Sequence, residues 1–335
     1  GTVDDVTCRA GNSPLDNFMG ASAEAVSAQV LRDSDARRAA DALKAAKEDW
    51  QWAMDKLGKP GLELAAAALT ASIDLYEATE ETAYRDAAVR LAAVVTDCQQ
   101  VGKTGWKVPL EGFFYSATSK QRIQHYSHRG HEQAPIVGLV RLCRALPSHA
   151  DFGKWDGAIR RYVDYYKTIT RFTEPYGMLP AGVYDLQESD RPEYRDQVKQ
   201  GIALSEQYFL RRFPVWFDFR GNCGTVLSQT KGLAAAGRYL KDQAILDLCQ
   251  RQLQWNLGLN PFSQSLMYGE GYDFAPQYSA MSGDMVGSLP VGIETHFDRD
   301  TPYYPPDNCY NYKEVWVHPS SRWLYVLCDL YPKPE

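Results

Sequence analysis

Apolar residues recur at three- and four-residue intervals through most of this chain, the period of a helix with one buried face. The pattern predicts helices over 21–31, 36–57, 61–78, 81–99, 135–145, 154–172, 223–240, 242–257 and 320–330. Ser34 is the expected N-cap of the second helix, Gly58 and Pro60 end it, and Pro147 follows the end of the fifth. A short stretch, 181–186, reads as extended.

The joints between these helices alternate in length. Those around Asp33, Thr79, Ser148 and Lys241 are short, whereas 101–134, 173–222 and 258–319 are long. Loops beyond about 15 residues are uncommon unless they do something. In a ring of αα-hairpins every second joint lies at the same rim, so the three long segments are expected to gather on one face. The expected architecture is therefore all-α, an α/α toroid (six-hairpin barrel), formed by residues 1–335 as a single domain. The competing arrangement is an irregular helical bundle with decorated loops. A six-hairpin ring contains more helices than the pattern supplies. The shortfall is expected at the N-terminus: either the first hairpins are short, or this polypeptide is one piece of a larger enzyme.

Composition narrows the class. Of the 335 residues, 44% are hydrophobic and 23% charged, as in a water-soluble globular protein. The net charge of −6 and the lack of a basic cluster argue against nucleic acid. The longest apolar run, near Leu64 to Ile73, is too short to span a membrane. The polar opening, Gly1 to Asp5, has no leader-like character, so a leader is either removed or never present. The seven cysteines form no Cys-x-x-Cys pair, and Cys98, Cys143, Cys249 and Cys328, within helical stretches, are expected to be buried thiols.

Candidate chemistry lies on the long joints. Glu314 sits near the end of the last one, between Tyr312 and Trp316, where desolvation would raise its pKa and make it a proton donor. The first long joint ends in His125-Tyr126-Ser127-His128-Arg129-Gly130-His131-Glu132-Gln133, three of the six histidines in seven residues. His, Arg and carboxyl groups supply directional hydrogen bonds, and Tyr126 offers a stacking face. Arg129 suits a carboxylate or sulfate on a sugar. Zinc on His125, His128 and His131 is a weak alternative at this spacing, and a hydrogen-bond network at a helix entry is the plain one. Trp106, Trp216, Tyr176, Tyr184 and Tyr304 are further stacking candidates, against the alternative that they anchor their loops. Asp298, Asp300 and Asp307 are candidates for a structural calcium, though not in an EF-hand spacing. No resident cofactor or catalytic metal is expected. Asp185, Glu188 and Asp190 read as solvated acids.

The C-terminal third resembles glycoside hydrolase family 9, which includes many cellulases. The resemblance is carried by Leu257-Gly258-Leu259-Asn260-Pro261, Gly269-Glu270-Gly271, the stretch Gly287-Ser288-Leu289-Pro290-Val291-Gly292, and Lys313-Glu314-Val315, in the family's order. It implies a glycosidase acting on a poly- or oligosaccharide by inverting hydrolysis, with Glu314 as general acid. Inversion needs a second carboxylate roughly 6.5–9.5 Å away to activate water. The family's Asp-Ala-Gly-Asp base motif is absent, and Asp4-Asp5 is the only early acidic pair. Where the family has a sugar-binding His-His-Arg, this chain has Pro276-Gln277-Tyr278-Ser279, which shifts the expected substrate from plain cellulose toward a modified or charged glycan.

On this reading His125, Tyr126, His128, Arg129, His131, Glu132, Trp106, Tyr176, Tyr304 and Trp316 bind the sugar. An extra chain or segment completing the ring is a possible partner, and a secreted or periplasmic location is favoured. Two other classes remain open: a polysaccharide lyase or sugar epimerase using His125, His128 or Tyr126, and a non-catalytic glycan-binding protein or subunit of a composite enzyme.

Overall fold

The computed structural model describes residues 13–126, 130–215, 221–278, 283–296 and 299–331. The helices are α1 (Pro14–Leu31), α2 (Ala36–Asp55), α3 (Leu62–Thr79), α4 (Thr82–Asp97), α5 (Ala134–Ala145), α6 (Phe152–Thr170), α7 (Pro192–Lys199), α8 (Cys223–Leu240), α9 (Gln243–Asn256), α10 (Tyr310–Lys313) and α11 (Val317–Leu330). Helix α1 begins at Pro14, ahead of the apolar pattern, because Ser13 caps it and proline suits a first helical position. Asp35 rather than Ser34 caps α2, its carboxylate accepting from the Arg38 amide at 3.1 Å. Helix α7 escapes the periodicity because its sequence, PEYRDQVK, buries only Tyr194, Gln197 and Val198.

Burial separates two layers. Helix α8 is buried on every side from Cys223 to Gly237, and α3 is buried almost continuously from Ala65 to Leu75. A helix buried all round must be ringed by other elements. Their Ala- and Gly-rich sequences let neighbouring backbones approach closely. By contrast, α2 buries only Ala39, Ala46, Trp50 and Ala53. Helix α1 packs on α3, α3 on α5, α5 on α8 and α8 on α11, while α2, α4, α6 and α9 back α1, α3, α5 and α8. This is the inner and outer layering of an α/α barrel.

Buried polar groups tie the inner layer together. Asp74 on α3, fully buried, pairs with Arg141 on α5 and accepts from Ser22 on α1. On the other side, Lys231 of α8 pairs with Asp329 of α11 and lies 3.5 Å from the Tyr325 ring centre. Among the described residues no comparable packing joins α11 back to α1. Both helices carry exposed apolar stripes: Met19, Val26 and Val30 on α1, and Val317, Leu324 and Tyr325 on α11, with Tyr331 just past its end. Cys328, expected to be buried, is exposed on that same face of α11, whereas Cys98, Cys143 and Cys249 are buried. The inner ring is thus an arc whose two ends present apolar surface.

The three long connections carry the β-structure. Strands β1 (Gly182–Asp185), β2 (Ile202–Ala203) and β3 (Tyr208–Arg211) form an antiparallel sheet in the order β1-β3-β2. Strands β4 (Glu294–Thr295) and β5 (Pro302–Tyr303) form an antiparallel pair. The connections interlock. The Lys107 amide donates to the Leu204 carbonyl at 2.9 Å, and the amides of Arg212 and Phe213 donate to Asp300 at 3.0 Å. The amides of Asn222 and Cys223 at the start of α8 donate to Ile293 and Val291. The first long segment is therefore joined to the second and the second to the third, on one rim.

Candidate active site

Glu314 follows α10 and is held by neighbours on both sides of its backbone. Tyr278 pairs with Glu314, and Pro290 with Val315, as isolated bridges. The Val291 amide donates to the Glu314 carbonyl at 2.9 Å, the Gly292 amide to Tyr312 at 2.8 Å, and the Tyr278 amide to Lys313 at 2.8 Å. Glycine is required at 292: its φ is +93°, and a Cβ there would meet the Cys223 sulfur at 2.0 Å. Lys313, the last residue of α10, is buried, its ammonium donating to the Pro306 carbonyl at 2.8 Å and lying 5.3 Å from the Tyr304 ring centre. Glu314 is half-buried, and its Oε2 accepts from the Trp316 indole N–H at 2.6 Å. Trp316 is thus a polar partner of the acid and not only an apolar wall.

From Trp316 the groups lead to the histidine segment. The Trp316 and His318 rings lie 5.9 Å apart. Arg322, one turn along α11, donates to the Gly130 carbonyl at 2.7 Å and reaches His131 Nδ1 at 3.4 Å. Burial, reinforced by Arg322 and His318, pushes His131 down to about 4, so it is neutral near pH 7. Burial also lowers Arg322 to about 10. Next to His131, Glu132 is half-buried and desolvation raises it to about 7, although the Tyr166 hydroxyl donates to its Oε1 at 2.8 Å. Glu132 and Tyr126 line one recess, walled by Phe113, Phe114, Tyr162 and Val183.

Several expectations are corrected. His125 stacks on Tyr184 (centroids 4.0 Å apart, 11° between planes), and its Nε2 meets Glu188 Oε2 at 2.8 Å. That arrangement covers Tyr184, which is buried and no sugar platform. Glu188 is not a solvated acid. It also bonds the Ile123 amide and the Tyr194 hydroxyl, and although burial alone would raise it, His125 and these hydrogen bonds hold it below the usual carboxylate range. Asp185 is buried too, accepting from Gln187 and Gln207, while Asp190 is exposed as expected.

Trp106 stacks on Phe113 at 5.6 Å and on Tyr208 at 4.7 Å, which makes it the anchor of the first connection on β3. Tyr304 is buried beneath Lys313 and cannot present a face to sugar. Tyr176 lies apart, in a groove of about 550 Å³ with Trp255, Leu259 and Arg251. Asp300 is engaged by two backbone amides and by Arg211 and Arg212, and Asp307 is exposed. Among the described residues no group of three His, Cys, Asp or Glu side chains is placed to hold a metal. His128, Arg129, Trp216, Asp298 and the pair Asp4-Asp5 lie outside the described residues.

The structure thus links Glu314 to Trp316, and Arg322 of α11 to Gly130 and His131, while Glu132 and Tyr126 line the recess beside α5 and α6. Sequence reasoning missed Glu294, buried in β4 near Tyr312 and raised to about 7 by desolvation, and missed Tyr162, Tyr165 and Tyr166 around Glu132. The tyrosines are visible as the i, i+3, i+4 pattern of α6. Glu294 carries no local signal.

The model of glycosyl hydrolase family 9 matches residues 17–282. The chain belongs to family 9. This match extends through the helices well upstream of the C-terminal motifs and ends before Glu314. No curated protein matches the sequence. Among solved structures the chain is similar to the cellulase Cel9M of C. cellulolyticum, with a TM-score of 0.58 and 15% identity over 95% of this chain. It is similar to the endoglucanase of the termite Nasutitermes takasagoensis, at 0.56 and 14% over 95%, and to that of Alicyclobacillus acidocaldarius, at 0.60 and 16% over 96%. The chain spans 64%, 65% and 56% of the lengths of these three proteins.

Proposed function

We propose that this family 9 chain hydrolyses a glycosidic bond in a poly- or oligosaccharide with inversion, and that Glu314 is the general acid. The observation that carries this reading is the holding of the Glu314 backbone between Tyr278 and Val291, with its carboxyl on the Trp316 indole, at the rim where the three long connections meet. Such an acid protonates the leaving oxygen, while a second carboxylate activates water from the opposite face of the sugar. Of the bases considered for the lyase and epimerase alternative, His125 is tied to Glu188 and stacked on Tyr184, which disfavours that use of it.

The second carboxylate comes, on this reading, with a helical segment that closes the ring between α11 and α1. The apolar stripes at those two helices support such a partner, because the seven partly exposed side chains each forgo a share of the about 1.5–3 kcal/mol that full burial supplies. A polymeric substrate suits a location outside the cytoplasm. No helix among the described residues is long and apolar enough to cross a membrane.

The test is release of reducing ends from a panel of neutral and charged glycans by the wild type and by Glu314→Gln. The proton NMR spectrum of the first product anomer distinguishes inversion from retention. Turnover that survives Glu314→Gln undiminished would refute the assignment.

A further inference from the structure

Beneath the rim lies a recess that the hydrolytic reading leaves without a task. It is bounded by the first long connection (Phe113, Phe114, Ile123, Tyr126), by α5 (Glu132, Pro135), by α6 and by β1. Its volume is about 40 Å³. A water needs at least about 10–15 Å³ measured this way, so there is room for roughly three waters. A pyranose ring is several times too large, whereas a hydroxymethyl arm fits. The wall is mixed in the way such an arm requires, with apolar rings along the sides and oxygen groups at the end.

Hydrogen-bond accounting shows what those groups want. The Tyr126 hydroxyl is buried and finds no partner. Glu132 accepts from Tyr166 at 2.8 Å and bonds Gln229, both of which are donors to it. The groups facing it are Tyr126 from the first connection, Tyr162, Tyr165 and Tyr166 from α6, and Gln229 from α8, with His125 further along the lining. The tyrosines and Gln229 are not cations that would hold Glu132 ionised. Burial leaves Glu132 protonated below about 7. The protonated acid and the buried Tyr126 and Tyr162 hydroxyls, the last two without a partner, then offer donors to a ligand hydroxyl oxygen, which has two lone pairs. Buried donors left unmade are costly, so the site discriminates between a ligand that brings that oxygen and one that does not.

We propose that this recess is a specificity pocket for the exocyclic hydroxymethyl group of a neutral hexose unit, with Glu132 and Tyr126 donating to its oxygen. The proposal rests on the glycosidase reading for its ligand class. It disfavours a uronate at this position, since a second carboxylate would face Glu132.

Calorimetric binding to Glu314→Gln protein tests it, using cellotetraose and xylotetraose, which share a backbone but differ in the hydroxymethyl arm. Cellotetraose is expected to bind at least about tenfold more tightly at pH 6. Tyr126→Phe and Glu132→Ala are expected to remove that preference by weakening cellotetraose alone. In the parent protein the preference declines between pH 6 and 8 as Glu132 ionises. In Glu132→Gln, whose amide keeps a donor at every pH, that decline is lost. Equal binding of the two sugars, or equal weakening of both by the variants, overturns the proposal. Binding of neither overturns it together with the glycosidase reading. Selective binding combined with no turnover in the wild type sinks only the hydrolytic reading.

Discussion

The indole N–H of Trp316 lies 2.6 Å from Oε2 of Glu314, two residues away along an extended backbone. A carboxyl fixed in this way has one oxygen oriented by the protein and the other free for a leaving group. Backbone pairing to Tyr278 and Pro290 fixes the rest of the segment, so side chain and main chain are positioned by different neighbours.

Glu314→Gln is expected to lower kcat by roughly 10²- to 10⁴-fold, the contribution typical of a positioned acid, without a change in melting temperature. Trp316→Phe removes the hydrogen bond that orients the Glu314 carboxyl and is expected to cost about 2- to 10-fold. Steady-state kinetics on a cleaved glycan measures both, and a larger loss in Trp316→Phe than in Glu314→Gln would contradict these roles.

Glu132 links pH to stability. Its carboxyl titrates near 4.5 when exposed and at about 7 when folded. The native state therefore keeps a proton that the unfolded chain releases. The associated stability is complete below about 4.5 and is lost as pH rises through about 7, up to roughly 3 kcal/mol. Glu132→Gln should be the more stable protein at pH 8 relative to wild type, and the advantage should vanish at pH 4. Thermal melts of both proteins across that range decide it. Glu294, raised to about 7 by the same cause, should behave alike.

Asp300 joins the third connection to β3 through the amides of Arg212 and Phe213 and the guanidinium of the fully buried Arg211. Asp300→Ala leaves that cation without its counter-ion and should destabilise by about 3–5 kcal/mol. Urea unfolding with an unchanged m-value measures the loss. A cost below about 1 kcal/mol would mean that the ion pair is not formed in solution.

Gly292→Ala is expected to cost about 3 kcal/mol or more, from the positive φ and from overlap with the Cys223 sulfur. Because the Gly292 amide holds Tyr312, the displacement should reach Glu314, and activity should fall further than stability alone predicts. Activity assayed well below the melting point separates the two effects.

Cys328 reports on the open flank of the ring. It is exposed on the apolar face of α11 beside Leu324 and Tyr331, and a maleimide should label it rapidly in this chain. If a helical segment closes the ring, adding that segment should slow the labelling at least about tenfold while Cys249, buried in α9, stays unreactive throughout. Equal labelling with and without the segment would count against closure there.

Much of the fold was legible because periodicity and loop length are local properties. The helices from α2 to α9, apart from α7, appear as apolar stripes, and the alternation of short and long joints implies a ring before any contact is known. Glu314 was legible through the short segment Lys313-Glu314-Val315. The partners of the site were not. Trp106 and Tyr304 look like sugar platforms in the sequence, yet Phe113, Tyr208 and Lys313 take up their faces, and nothing near them in the chain announces those rings. Glu188 looks solvated because its neighbours are polar, while its actual surroundings are His125 and Ile123, more than 60 residues away.

The amino-acid order alone determined the helical class, the hairpin alternation and the position of one acid in the last long connection, since each depends on residues a few positions apart. Tertiary structure decided which titrating groups are dry and which rings are covered. Desolvation and stacking depend on what the folded chain brings from a distance: Tyr166 onto Glu132, Arg322 onto Gly130, Lys313 onto Tyr304.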